Sequence, residues 1–244
     1  MRFVTFNILH GRTVGGGVDP ALLRQAVTEL APDVLALQEV DFDQPRSGRA
    51  DLTAVAAEAM GAVDHRFVAA ISGTPGATWM AATGQEHPGT AAYGIALLSR
   101  FPATSWQVLR LPRMPVRFPR LHDEPRAAVL AELRTPLGPL TVVNTHLSFI
   151  PGWNRRQLHL LYRDMRGFAG PRILVGDLNM PPVAVHRWSG LRTLAVAPTF
   201  PAPAPRRQLD HIATDDPALR GRALRTPLMP LSDHRPLGVE IFRD

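Results

Sequence analysis

A short apolar run that ends in two polar residues constrains the fold of this chain more than any other stretch. Residues 173–175 (Ile-Leu-Val) are apolar and largely β-branched, which is typical of a strand buried on both faces. Asp177 and Asn179 follow where this strand runs out, and alternate residues of a strand share one face. A carboxylate beside an amide can bind a hard cation or hold a water against a reacting atom. Taken alone, this stretch is better explained as an ordinary Asp/Asn turn.

Polar side chains follow apolar runs at five further places, and this recurrence favours chemistry over a single turn. These places are Asn7, Glu39, Asn144 with His146, Asp210, and Asp233 with His234. Each has an ordinary explanation alone, such as a solvated strand end or a structural histidine. Together they provide oxygen ligands, a base and hydrogen-bond donors for a developing anion. This is the set of groups needed for metal-assisted attack of water on a phosphate ester.

The hydrophobic pattern predicts many short strands with about three helices between them. Strands are predicted at residues 2–9, 34–37, 93–99, 126–133, 140–147, 173–175, 209–213, 223–226 and 237–242. Helices are predicted at residues 20–31, at residues 52–60, and along the face of Leu158, Leu161, Met165 and Phe168. Long loops are predicted at residues 10–18, 72–90, 109–125 and 198–205. With no repeat and no linker, the pattern indicates one layered α/β domain over residues 1–244.

The absence of two residue types excludes several chemistries. The chain has no cysteine, which excludes disulfides, thiolate metal sites and cysteine nucleophiles. All 27 basic residues are arginine, which excludes a P-loop lysine and Schiff-base chemistry. The net charge of +6 suits a phosphate-bearing partner. An arginine-rich, lysine-free composition also resembles a genome-wide bias, so the charge alone decides little.

The hydropathy of the chain indicates a soluble globular protein. Hydrophobic residues make up 45% and charged residues 20%, and no apolar run is long enough to cross a bilayer. We do not expect the first residues to act as a signal peptide, because the apolar run meets Asn7 almost at once. We therefore expect a cytoplasmic, monomeric protein that does not insert into membranes.

Eight motifs in order resemble the endonuclease/exonuclease/phosphatase superfamily, the deoxyribonuclease I-like proteins. The motifs are TFNILHG, LALQEVD, YGIALLSR, EPRAAVLAEL, VNTHL, VGDLN, LDHI and SDHRP. They run from Phe3 to about Pro236, and LQE, GDLN and SDH in sequence are a specific combination. The resemblance implies a four-layer αββα sandwich, with two mostly antiparallel sheets face to face and helices outside each. It also implies that the catalytic side chains gather at one end of the sandwich.

The resemblance implies a divalent cation held by three of the motif residues. Asn7 and Glu39 match the metal ligands of the family, and Glu39 matches its principal metal carboxylate. Asp233 lies on the metal side of the SDH motif and is expected to ligate directly or through water. Oxygen ligands select Mg²⁺, or Mn²⁺, over softer metals.

The remaining motif residues match catalytic and phosphate-binding positions. In the resemblance, His234 is a general base or a phosphate-contacting imidazole, and Asp210 holds its other nitrogen. Asp177 orients the attacking water, Asn179 hydrogen-bonds the phosphate, and His146 is a candidate acid toward the leaving group. Three further residues are candidates for binding the substrate phosphate: Arg126, Tyr93 and Arg46. Of these, Tyr93 can equally be a core residue and Arg46 an ordinary loop arginine.

The loops, rather than the motifs, are expected to choose the substrate. Candidate loops are residues 13–18, 72–90 and 110–123. The four arginines between Arg110 and Arg120 suit a polyphosphate backbone, although Phe118 is the only aromatic among them. The sequence thus predicts a divalent-metal-dependent phosphoester hydrolase, either a phosphodiesterase or nuclease or a phosphatase, with nucleic acid one candidate substrate. A lipid or inositol-phosphate phosphoesterase and a catalytically silent binding module on the same fold are the alternatives.

Overall fold

Thirteen strands and four helices make up the part of the chain that the computed structural model describes, residues 1–114 and 123–243. The strands are β1 (Arg2–Asn7), β2 (Val34–Phe42), β3 (Asp64–Gly73), β4 (Trp79–Ala81), β5 (Ala92–Ser99), β6 (Ala103–Arg110), β7 (Ala127–Thr135), β8 (Gly138–His146), β9 (Arg172–Asp177), β10 (Arg192–Thr193), β11 (Asp210–Thr214), β12 (Leu219–Ala223) and β13 (Leu237–Arg243). The helices are α1 (Pro20–Leu30), α2 (Leu52–Met60), α3 (Trp153–Met165) and α4 (Pro182–Ser189). None of these helices has the length and apolar character needed to cross a bilayer.

The strands form two mixed sheets. The order in the seven-stranded sheet is β12-β13-β1-β2-β5-β3-β4, and the order in the six-stranded sheet is β10-β11-β9-β8-β7-β6. β1 runs parallel to β2 and β8 runs parallel to β9, whereas the other paired strands of the described residues are antiparallel. Two mostly antiparallel sheets were expected, and the structure confirms them.

Three buried apolar clusters separate four layers. The central cluster lies between the sheets and includes Phe3 from one sheet and Val129 from the other. A second cluster packs α1 and α2 on the outer face of the seven-stranded sheet, with Leu23 fully buried. A third packs α3 and α4 on the other sheet, around residues such as Leu158. The arrangement is the αββα sandwich, because each sheet buries one face on its partner and the other under helices.

A buried polar bridge joins the two sheets beneath one end of the sandwich. Gln38 Nε2 on β2 donates a hydrogen bond of 2.8 Å to Asn144 Oδ1 on β8. Asn144 Nδ2 in turn donates to the carbonyl oxygens of Leu37 and Ala96. Asn144, one of the polar residues singled out in the sequence, therefore lies in the core and joins the sheets. Gln38 is next to Glu39 in β2, and Asn144 lies two residues before His146 at the end of β8. The bridge therefore fixes the positions of Glu39 and His146 relative to each other.

The structure differs from the predicted elements mainly at edges of the sheets. Residues 72–90 were predicted as loop throughout, but β3 extends into them and β4 lies within them. β3, β6 and β10 were not predicted, and no residue of the edge strand β6 is fully buried. The strand expected at residues 223–226 lies earlier, as β12. The central strands were located correctly because their apolar runs are buried on both faces.

The register brings several strand ends to one edge of the sandwich. Asn7 ends β1, His146 ends β8 and Asp177 ends β9. His146 is paired with Asp177 across the parallel strands, and Asp210, the first residue of β11, is paired with Asp177 on the other side. Cross-strand partners lie about 5 Å apart, so these polar side chains must share one small volume.

Candidate active site

A cleft of about 270 Å³ opens at this edge, between the ends of the two sheets. It is lined by Asn7, Glu39, Tyr93, Glu124, Arg126, His146, Phe149, Asp177, Asn179 and His234. Eight of the eleven site residues predicted from the sequence line it, and Glu39 and His234 face the same space. Asp210, Asp233 and Arg46 do not line it. Two larger cavities, of about 390 and 500 Å³, lie along β3, and none of the eleven predicted site residues lines either of them.

Glu39 reaches the cleft because β2 bulges at this residue. The pairing of β2 with β5 shifts between Gln38 and Val40, and Glu39 has a φ of 56°. A positive φ costs a non-glycine residue roughly 1–3 kcal/mol, and such bulges re-aim side chains near active sites. Burial raises the pKa of Glu39, opposed by the hydrogen bond from Asn7 and the charge of Arg126. The backbone therefore holds a partly buried carboxylate in an otherwise unfavourable position.

Asn7 connects two carboxylates in the cleft. Its Nδ2 donates to Glu39 Oε1 at 3.0 Å and to Asp177 Oδ2 at 3.1 Å. Its Oδ1 accepts from the backbone N–H of Leu9 at 3.1 Å, which fixes the orientation of the amide. Asn7 was predicted as a metal ligand. Here it holds the two carboxylates side by side, and only a second lone pair of Oδ1 is left for a cation.

Asp177 and Asn179 both reach the cleft, as the alternation of side chains predicted. The backbone N–H of Asn179 donates to Asp177 Oδ1 at 3.0 Å, and Leu178 between them is fully buried. Asn179 adopts a φ of 51°, which turns the chain out of the strand. Burial raises the pKa of Asp177, and the neighbouring carboxylate of Asp210 raises it further.

Asp210 and His234 form a buried pair behind the cleft. Nδ1 of His234 lies 2.8 Å from Asp210 Oδ2, which leaves Nε2 facing the cleft, 3.7 Å from Asp177 Oδ2. Burial lowers the pKa of His234, but the charge and hydrogen bond of Asp210 and the charge of Asp177 raise it more, to about 10. His234 is consequently an imidazolium near neutral pH. The Phe200 ring packs against it, with the centroids 5.0 Å apart.

His146 differs from His234 in charge. Burial, followed by the charges of Arg126 and His234, lowers the pKa of His146 well below its ordinary value. Its Nε2 lies 3.3 Å from Asn179 Nδ2, an amide nitrogen that also donates to the carbonyl oxygen of Leu147 at 3.1 Å. A neutral imidazole that accepts from Asn179 has no proton on Nε2 to give. Both observations argue against the predicted role of His146 as an acid toward the leaving group.

Arg126 and Glu124 form one wall of the cleft. Arg126 is 7% exposed, and its Nε has no partner among the described residues. Its only described ion pair is a long one, 3.5 Å to Glu124. A buried guanidinium with an unused donor is suited to binding an anion. Residues 115–122 precede this wall, so the predicted contributions of Arg117, Phe118 and Arg120 lie outside the described residues.

Arg46 and Tyr93 are coupled to each other. Arg46 donates to buried Asp41 through Nε at 2.8 Å and through a terminal nitrogen at 2.7 Å. Its guanidinium carbon lies 5.3 Å from the Tyr93 ring centroid and 5.7 Å from that of Trp79. Tyr93 lines the cleft, and burial, then the charge of Glu39, raises its pKa well above the ordinary value. Arg46 thus packs on the ring of Tyr93 in the wall of the cleft, and its guanidinium is already bound to Asp41.

Two residues that line the cleft, Glu124 and Phe149, were not predicted from the sequence. Glu124 is part of the EPRAA motif but lies in a predicted loop, where an acidic residue has no pattern that distinguishes it from solvent-exposed charge. Phe149 follows VNTHL and is 55% exposed at the cleft mouth. An exposed phenylalanine leaves no periodic signal in a sequence, because it belongs to neither face of an element. Asp233, by contrast, was predicted and lies exposed beside the cleft, where its charge acts on Glu39 and His234.

A third histidine next to the site makes stability depend on pH. His211 is fully buried, lies 2.8 Å through Nε2 from the carbonyl oxygen of Met180, and burial lowers its pKa to about 4. The unfolded chain binds a proton below about pH 6.5 that the folded chain refuses, so stability falls as pH falls toward 4. Between pH 7 and 4.5, we expect His211 to contribute about 2–3 kcal/mol to this loss.

Chemical denaturation of wild type and His211→Gln at both pH values tests this prediction. The drop in the free energy of unfolding should be smaller in His211→Gln by that amount, whatever the absolute stability of the variant. His159→Gln, an exposed histidine of α3, is the control and should keep the wild-type drop. An unchanged drop in His211→Gln would show that the folded protein accepts the proton at this site.

The fold and the cleft define a class: a four-layer α/β sandwich with a polar site at the shared rim of its sheets. The chain belongs to the Endonuclease/Exonuclease/phosphatase family, whose model matches residues 4–234. This is a family of hydrolases that act on phosphoester bonds and generally depend on divalent metal ions. The chain is therefore a phosphoesterase in this general sense.

Solved structures share the fold at low sequence identity. An endonuclease/exonuclease/phosphatase protein from Beutenbergia cavernae is 22% identical with a TM-score of 0.76, over 100% of this chain and 71% of that one. The human Nocturnin catalytic domain, solved with bound sulfate, is 22% identical with a TM-score of 0.69, over 100% and 93%. A mannosyl-6-phosphatase from Bacteroides thetaiotaomicron is 17% identical with a TM-score of 0.67, over 99% of both chains. A search of curated proteins finds no match.

Proposed function

We propose that the cleft hydrolyses a phosphoester with a water nucleophile and a divalent cation, Mg²⁺ or Mn²⁺, beside Glu39. One observation carries this proposal. The carboxylates of Glu39 and Asp177, the imidazolium of His234 and the guanidinium of Arg126 come from four separate parts of the chain and face one cleft of about 270 Å³. Two negative and two positive groups around one space match a reaction that binds an anion and activates a water.

The side chains around Glu39 fit a hard cation. The carboxylates of Glu124 and Asp233 act on Glu39 electrostatically, so the negatively charged groups near Glu39 that could ligate a cation all offer oxygen atoms. A bound cation supplies charge neutralisation at a phosphate oxygen. Asp177, Asp210 and His234 also offer ligand atoms within 4.8 Å of one another. We place the cation at Glu39 because Asp210 and His234 already hydrogen-bond each other.

Asp177 and His234 are proposed to act on the water and the phosphate. The 3.7 Å between Asp177 Oδ2 and His234 Nε2 brings both groups within reach of one bound water or phosphate oxygen. The oxygen of the water bonds to phosphorus while Asp177 Oδ2 accepts a proton from that water. The bond between phosphorus and the leaving oxygen breaks, and the leaving group departs with the bonding electrons. His234 donates its Nε2 proton in a hydrogen bond to the phosphate oxygen that gains charge. Of the two roles predicted for His234, the pKa of about 10 favours this one.

The other lining residues are proposed to bind and orient. Arg126 binds a nonbridging phosphate oxygen with donors that the described residues leave unused. Asn7 holds Glu39 and Asp177 at a fixed separation, and His146 holds the amide of Asn179. A catalytically silent binding module would not need this set of aligned carboxylates and imidazoles. We therefore retain the hydrolase as the proposed function.

Hydrolysis of two small aryl esters tests the proposal. Bis(p-nitrophenyl) phosphate and p-nitrophenyl phosphate are offered to metal-stripped protein, in chelator and then with added Mg²⁺ or Mn²⁺. We expect turnover to appear only with the metal, and the ratio of the two substrates to separate a phosphodiesterase from a phosphatase. Equal turnover in chelator, or no turnover of either ester with either metal, would contradict the proposal.

A further inference from the structure

The net positive charge of this protein is concentrated in two segments that pass through the candidate active site. Residues 133–163 and 178–209, here called the acid-free segments, contain no aspartate or glutamate. They hold eight of the 27 arginines and none of the 21 acidic residues, so they carry +8 while the rest of the chain carries −2. A compositional bias toward arginine would spread both signs along the chain. The separation of the signs instead indicates an anionic partner.

Both acid-free segments pass through the candidate active site. The first contains His146 and continues past Phe149 into α3, and the second begins just after Asp177 and continues into α4. Asn154 of α3 donates through Nδ2 to the carbonyl oxygen of Asn179 at 2.9 Å. The amino-terminal end of α3 is thus attached to the cleft, and its backbone N–H groups add to the positive field.

Exposed aromatic rings lie among these arginines. Trp188 of α4 is 39% exposed, and the guanidinium of Arg155 lies 5.8 Å from its ring centroid. Arg156 stands 5.3 Å over the ring of Trp153 in the same way. Arg155 and Arg156 form no ion pair with a described carboxylate, so their charges are not neutralised within the structure. Phe149, at the cleft mouth, connects this surface with the site.

A second group of arginines, with an aromatic ring, lies beside the cleft, in the loop that precedes Asp210. Phe200 packs on the imidazole of His234, and the guanidinium of Arg207 lies 5.8 Å from the Phe200 centroid. Arg206 and Arg207 are exposed, and no described carboxylate pairs with either. Arginines and aromatic rings consequently flank the cleft both at α3 and α4 and at the loop that precedes Asp210.

We propose that this arginine–aromatic surface binds a single-stranded polynucleotide and passes it through the cleft. Guanidinium groups bind successive phosphates, and planar rings stack on bases. A duplex would hide its base faces from Trp188 and Phe149, because paired bases stack on each other, whereas a single strand presents them. The binding of a polynucleotide does not depend on the proposed hydrolase function. Its cleavage does rest on that function, because the strand would be the substrate of the proposed hydrolase.

Binding is measured apart from cleavage by fluorescence anisotropy of a labelled oligodeoxythymidine in excess chelator. The test variants are Arg155→Ala/Arg156→Ala and Trp188→Ala, none of which lines the cleft. The control is Arg134→Ala/Arg225→Ala, which removes the same charge. Arg134 belongs to the first acid-free segment but lies near the far end of β7, away from the arginines that surround the cleft. Arg225 lines a cavity with Arg2, at the start of β1 and so at the opposite end of the sandwich.

The variants should differ in affinity and in salt dependence. The arginine pair should weaken binding at least tenfold and reduce the slope of log K against log salt by about 1.4, because two phosphate contacts are lost. Trp188→Ala should weaken binding about fivefold or more and leave the salt slope unchanged, because stacking releases no counterions. The control pair should remain within about twofold of wild type.

Three outcomes would overturn the inference. The first is an equal loss of binding in the test and control pairs. The second is tighter binding of a duplex than of a single strand. The third is that the test variants weaken binding only to phosphatidylglycerol vesicles and not to the oligonucleotide. Turnover of bis(p-nitrophenyl) phosphate is followed in parallel and should be unchanged in the test variants. Intact aryl-ester turnover without oligonucleotide binding would reject this inference alone, and binding without any turnover would reject only the proposed hydrolase.

Discussion

Replacing Asp177 by asparagine is expected to lower kcat for an aryl phosphoester by about 10³-fold, within the range that proton transfer by a positioned side chain contributes. The amide keeps the shape of the carboxylate and can still accept the Asn179 N–H that now bonds Oδ1. It cannot accept the proton of the attacking water. The measurement is steady-state turnover with saturating Mg²⁺.

Stability controls separate this loss from unfolding. Asp177→Asn faces the Asn7 amide nitrogen with a second amide, which costs about 1 kcal/mol, but it also removes the repulsion from buried Asp210. The thermal midpoint should therefore change little. Asp51→Asn makes the same chemical change at the exposed N-cap of α2, where asparagine also caps, and should keep full activity. Activity of Asp177→Asn within tenfold of wild type would contradict its assignment as the base.

Asp210→Asn is expected to lower kcat about 10²-fold and to move the pH profile to lower pH. Asp210 raises the pKa of both His234 and Asp177. The active form has Asp177 charged and His234 protonated, so activity rises through the first pKa and falls through the second. Removal of the Asp210 charge lowers both pKa values, and both limbs of the bell-shaped curve should shift toward acid.

The direction of the pH shift distinguishes positioning from general destabilisation. Asp215→Asn removes a half-buried carboxylate that binds Arg172 at the start of β9, the end away from Asp177. This control should lower stability and leave the pH profile in place. If the profiles of Asp210→Asn and wild type coincide, Asp210 does not set the protonation of His234 at the site.

The sequence located most of the candidate site because the site lies at strand ends. Alternation is a local rule, and it predicted that Asp177 and Asn179 reach one side with Leu178 buried between them, although Asn179 lies beyond the end of β9. β9 has a continuous apolar run, Ile173 to Val175, whose end also indicates where the strand ends. The resemblance of the ordered motifs to a known family then implied the two-sheet fold that brings those strand ends together.

Other features depend on contacts that no local pattern records. The bulge at Glu39 exists because β5 pairs with both sides of it. The ion pair between Arg46 and Asp41 depends on the 3-10 turn Pro45–Ser47, which contains Arg46. Asn144 seemed to be a site residue, yet its partners Leu37 and Ala96 are on the opposite sheet. The pKa shifts that distinguish His146 from His234 arise from neighbours brought in from distant parts of the chain.

The central claim is that Glu39 and His234, from opposite ends of the chain, act on one phosphate. A double-mutant cycle with Glu39→Gln, His234→Ala and the double variant measures this directly, with kcat/KM for bis(p-nitrophenyl) phosphate in Mg²⁺. Each single change should lower kcat/KM about 10³-fold. The kcat/KM of the double variant should lie within about tenfold of that of the less active single variant, because the effects of residues that act as a unit are not additive. Fully multiplicative losses, or a folded single variant with near wild-type kcat/KM, would contradict the account.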